Sequence, residues 1–102
     1  MNSTIRKEKH YKITIEEVGI EKPKTLELSY QDREDLFKAV DNLKKGSGLT
    51  PETATQVAVA LRLLGPVMIK DRKHPLFVAF MPHFKNFMQH LKSTVKQAVS
   101  GA

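Results

Sequence analysis

The chain contains no cysteine and no tryptophan. Without thiols it can build no disulfide scaffold, thiolate zinc site, iron–sulfur cluster or cysteine nucleophile, and the absence suits a reducing compartment. Without indoles, and with five Phe against two Tyr, the aromatic weight of any core falls on Phe. Long apolar runs are missing too. The most apolar stretch, residues 57–69, is interrupted by Arg62, Gly65 and Pro66 and falls short of the ~20 residues that a membrane-spanning helix needs. Arg6, Lys7 and Lys9 lead into no apolar segment, which is not the layout of a secretory signal, and the expected location is the cytoplasm. What is present is 102 residues, 40% hydrophobic and 27% charged with a net charge of +6, a composition that suits one modest globular core.

Periodicity places the elements. Tyr11, Ile13 and Ile15 alternate with Lys12, Thr14 and Glu16, and Leu26, Leu28 and Tyr30 alternate with Thr25, Glu27 and Ser29. Two half-buried strands with Gly19 and Pro23 between them predict an antiparallel hairpin with a long loop. A first helix is expected from Asp32 as its cap, with Leu36, Phe37, Val40 and Leu43 as the apolar stripe and Gly46-Ser47-Gly48 as its end. A second begins at Thr50-Pro51 and is apolar nearly all round. Pro66 removes a backbone donor and crowds the Arg62 carbonyl, which predicts a kink or a break. Lys70-Asp71-Arg72-Lys73-His74 forms a charged connector, followed by a turn or short helix over residues 76–81. A last helix after Pro82 should bury Phe84, Phe87, Met88, Leu91 and Val95. The expected architecture is α+β, a hairpin packed on about three main helices, the second kinked or broken near Pro66. A basic flexible arm over residues 1–8, one domain over 9–92 and a frayed or disordered tail over 93–102 complete it.

This order of elements, with Arg72-Lys73-His74-Pro75-Leu76-Phe77 and Pro82-His83-Phe84-Lys85-Asn86-Phe87-Met88, resembles a family of small bacterial proteins. The family is catalogued as a domain of unknown function, number thirty-eight sixty-one, and the resemblance spans about residues 9–92. It implies a small cytoplasmic α+β domain with a hairpin and a helical layer, and it implies no activity. The basic arm and the tail depart from the shorter members.

The residues single out no reaction. His83 and His90 lie about 10 Å apart along a helix axis at ~1.5 Å per residue, too far to share one ion within a chain. Ligation between subunits stays open, but two histidines flanking a Phe/Met stripe is the simpler account. His74 precedes Pro75 in the connector, where a capping or hydrogen-bonded structural role is favoured over catalysis. Ser93 near His90 has no orienting acid or oxyanion donors, and Gly46-Ser47-Gly48 lacks the Lys-Ser/Thr of a phosphate loop. The carboxylates at Glu16-Glu17 alternate across a strand, and those at Asp32, Glu34 and Asp35 suit a helix start. No enzyme, metal or cofactor is therefore expected.

Two binding readings remain. The favoured one is a protein-interaction module, homodimeric or neutralising a partner, because a small chain carries open strand edges, an all-round apolar helix and a Phe-rich segment. Arg72, Lys73, His74, Phe77, Phe80 and Met81 are its candidate partner-binding residues, with Phe77 assigned to the core before Phe80. The alternative is nucleic-acid binding through basic patches at both chain ends. Residues 1–12 hold four bases against one acid and residues 70–102 six against one, while residues 13–69 hold seven against nine. Thr53, Thr55 and Gln56 would occupy the reading positions of a helix-turn-helix, although that helix is too apolar to lie in a groove.

Overall fold

The computed structural model describes residues 8–100, so most of the expected arm and the last two residues lie outside the described residues. The element order is β1 (Lys9–Glu16), β2 (Thr25–Asp32), α1 (Leu36–Gly46), α2 (Pro51–Lys70), α3 (Pro75–Val78) and α4 (Met81–Ser100). This is an α+β chain with an N-terminal antiparallel hairpin and three main helices. The domain expected over residues 9–92 divides into two compact units, one ending at Glu34 and the other beginning at Asp35.

In the first unit the alternating pattern fixes the register. Tyr11 pairs with Tyr30, Ile13 with Leu28 and Ile15 with Leu26, so every apolar side chain of one strand faces an apolar one of the other. The tyrosine rings meet at 5.3 Å between centroids. Lys12 Nζ lies 3.8 Å from a Glu27 carboxylate oxygen, an exposed pair that stabilises the ribbon little. The loop is closed by the Glu17 N–H donating to the Lys24 carbonyl at 3.0 Å and the Lys24 N–H donating to Glu17 Oε1 at 2.8 Å. Gly19 adopts φ +77°, a conformation that a side chain disfavours. Ile15 and Leu26, expected on the half-buried face, are exposed: they form the last apolar rung before the loop, beside Val18 and Ile20, which are exposed as well.

The second unit starts three residues later than expected. Strand β2 pairs through Asp32, which keeps that residue extended, and its Oδ1 accepts the nearby Glu34 N–H at 3.1 Å. Asp35 is the cap of α1, accepting from the Phe37 and Lys38 N–H groups at 2.9 and 3.2 Å. Leu36 and Leu43 are buried, but Phe37 is 70% exposed because it sits about 100° round the helix from Leu36, off the stripe. The helix ends as the sequence implies, with the Ser47 N–H donating to the Leu43 carbonyl at 3.0 Å and Gly48 at φ +83°.

Thr50 caps α2 with Pro51 in its first turn, and Ala54 and Ala58 are buried one turn apart. These two and Leu43 form the core, joined by Val40 of α1, Val57 of α2, and Leu91 and Val95 of α4. The small alanines let α1 come close. Of the kink or break expected at Pro66, the break is not made: α2 runs as one helix to Lys70, with Gly65 and Met68 buried on either side of the proline. Helix α4 likewise runs to Ser100, so residues 93–100 are helical rather than frayed. Val95, packed on the core, carries the helix past residue 93. On α4, Phe84, Met88, Leu91 and Val95 are half-buried, whereas Phe87, expected in that stripe, is exposed.

The tightest approach is at Gly46. A Cβ built there would lie 2.9 Å from the Val95 Cα and 3.0 Å from its carbonyl oxygen, backbone atoms that cannot swing aside. At Gly65 the nearest atom to such a Cβ is the Phe84 ring at 3.8 Å, an ordinary contact. Gly46→Ala should therefore destabilise the helical unit by about 1–3 kcal/mol. Gly65→Ala should leave stability unchanged or raise it by up to about 1 kcal/mol through helix propensity. Urea unfolding of the two variants beside the wild type measures both signs.

Candidate functional site

The candidate surface is the connector between α2 and α4. The Asp71 N–H donates to the Val67 carbonyl at 3.0 Å as α2 ends, and the His74 N–H donates back to the Asp71 carbonyl at 2.8 Å. Pro75 disfavours helical geometry at the residue before it, and His74 stands at φ −64°, ψ 134°. That extended position lets its ring cap the next element: Nδ1 accepts the Leu76 N–H at 3.1 Å. The His74 carbonyl accepts from Phe77 and Val78 at 2.9 and 3.1 Å, closing the single turn of α3. With Nδ1 accepting, the neutral ring carries its hydrogen on Nε2. His74 is thus the capping residue that the sequence favours.

The six expected partner-binding residues fall into two groups. Arg72, Lys73 and His74 are exposed and line one open depression of about 390 Å³ together with Lys70 and Asp71. The His74 ring also meets Phe77, half-buried, at 5.8 Å between centroids. Phe80 turns instead to α4: its ring lies 5.9 Å from that of Phe84, and its carbonyl accepts the Phe84 N–H at 2.9 Å. Met81 is half-buried at the start of α4.

Leu76 and Val78 lie in the Phe-rich segment but outside the six named residues, and the sequence places Ile69 in the apolar helix; they are 72%, 53% and 68% exposed, and Phe80 joins them at 45%. The available signal was the pair of prolines: Pro75 opens a helix of only four residues before the chain re-enters a helix at Met81 with Pro82. One turn has too little length to bury every apolar side chain of a Leu-Phe-Val-Ala-Phe run.

The other candidate chemistry is dispersed. His83 and His90 are both exposed on α4, and among the described residues no three His, Asp or Glu side chains gather at a metal-sized site. Thr53 and Thr55, placed by sequence at a DNA-reading position, are engaged with their own helix. The Thr50 hydroxyl lies 3.0 Å from that of Thr53, and the Thr55 hydroxyl donates to the Pro51 carbonyl at 2.8 Å. The same helix buries Ala54 and Ala58 in the core, while Thr53 and Gln56 are exposed. Among the described residues no helix is long and apolar enough to cross a membrane.

The His74 cap gives a local readout. His74→Ala should speed hydrogen exchange at the Leu76 amide, while His74→Asn, whose side-chain oxygen can cap in the same way, should keep it near the wild-type rate. Amide exchange followed by NMR distinguishes the two.

No curated protein matches this chain. A crystal structure of a protein of unknown function from Pectobacterium atrosepticum is similar to it, with a TM-score of 0.76 and 39% identity, covering 83% of this chain and 97% of that one. A family model matches residues 9–93, from the first residue of β1 into α4. The chain therefore belongs to the domain-of-unknown-function family DUF3861, for which a structure has been solved.

Proposed function

We propose that the protein is a non-catalytic, cytoplasmic protein-binding module whose docking surface is the segment from Ile69 to Met81. The observation that carries this reading is the run of exposed large apolar side chains, Ile69, Leu76, Val78 and Phe80, beside the basic depression of Lys70, Arg72 and Lys73. Single exposed apolar residues are ordinary, but several within twelve residues, rimmed by charge, suit an interface. The chemistry favours a partner with apolar side chains and carboxylates. His74, the most versatile group for catalysis on this surface, already spends Nδ1 on the α3 cap, which supports a structural role.

Nucleic-acid binding is the second reading, favoured by the same three cations around one depression. Against it, Asp71 lines that depression too, and the apolar residues beside it gain nothing from a phosphate backbone.

The test is affinity capture by the tagged protein from nuclease-treated lysate, run beside Leu76→Asp and Phe80→Asp. Leu76→Asp should keep its folded spectrum with stability within about 1 kcal/mol. Phe80→Asp should cost about 1–3 kcal/mol more through its lost contact with Phe84. Both, where folded, should lose the protein that the wild type retains. Equal recovery by wild type and variants contradicts the reading. Recovery that depends on nucleic acid and weakens steeply with salt replaces it with the second.

A further inference from the structure

We infer that the partner recognised by the Ile69–Met81 surface is the hairpin loop of a second copy of this chain. The inference rests on the protein-binding reading above and adds the identity of the occupant.

The loop end of the hairpin presents the chemistry that the connector calls for. Ile15, Val18, Ile20 and Leu26 are exposed there, Val18 at 88%. The surrounding residues 16–27 carry four Glu and two Lys, a net charge of −2. The connector, residues 69–80, exposes Ile69, Leu76, Val78 and Phe80 and carries three bases and one acid, a net charge of +2. Each segment exposes large apolar side chains and is opposite in net charge to the other. Bringing two connectors together, or two hairpin loops, would instead oppose like charges.

Covering both apolar surfaces with each other removes from water the side chains that neither unit buries by itself. The charges supply orientation and make the contact sensitive to salt. Exchanged reciprocally between two chains the contact is isologous; repeated head-to-tail along a succession of chains it is heterologous and propagates.

Charge exchange tests the inference. Sedimentation of the full chain over a wide concentration range should show association that weakens at high salt. Glu16→Lys with Glu21→Lys, and separately Arg72→Glu with Lys73→Glu, should each weaken association by tenfold or more with circular dichroism unchanged. These positions are exposed, and Glu17, which closes the loop, is left intact. An equimolar mixture of the two double variants should recover association. The inference is overturned if the wild type stays monomeric throughout, if either reversal has no effect, or if the mixture fails to associate. A monomeric wild type whose lysate partner is still lost on Leu76→Asp overturns the second copy alone. A Leu76→Asp variant that keeps both that partner and its self-association overturns the binding surface itself.

Discussion

The helical unit depends on how closely α1 approaches its neighbours. Gly46 meets the Val95 backbone with no room for a methyl group, and Ala54 and Ala58 present small buried side chains to the same core. Gly46 therefore brings the backbones of α1 and α4 together, while Val40, Leu43, Val57, Leu91 and Val95 pack around the two alanines. Close packing recovers dispersion energy that larger but looser contacts would lose. Ile69, Leu76, Val78, Phe80 and Phe87 stay outside this core and are exposed.

The same constraint explains which features of the fold are legible in the sequence. Local signals with a strong physical cause read correctly. The two alternating runs give the strands and their register, Thr50-Pro51 gives the start of α2, and Gly46-Ser47-Gly48 gives the end of α1. Signals decided by tertiary contact do not. Asp32 and Asp35 have the same capping chemistry, and only the reach of β2 selects the second. Pro66 left a kink or a break open, and the structure shows α2 continuing through it as one helix. The last turns of α4 look weak until Val95 is seen to pack on the core.

The candidate site divides in the same way. The role of His74 follows from its neighbour Pro75 and was open to sequence reasoning, because an extended residue with a nitrogen acceptor before a helix is a cap. Phe77 is half-buried and Phe80 more exposed, the order expected from the segment. The exposure of Leu76 and Val78 was not legible, since periodicity within a single turn does not say which side finds cover. Charge segregation was visible from the start, and the structure adds that Arg72 and Lys73 share one depression with Lys70, Asp71 and His74.

The proposed interface between copies would cover apolar surface that the core leaves outside. Hydrogen–deuterium exchange of the full chain, compared at low and high protein concentration, tests that claim where it is made. The account predicts that protection rises with concentration in two places at once, around residues 15–26 of the hairpin and 69–81 of the connector. Exchange that does not change with concentration, or protection confined to other segments, would contradict it.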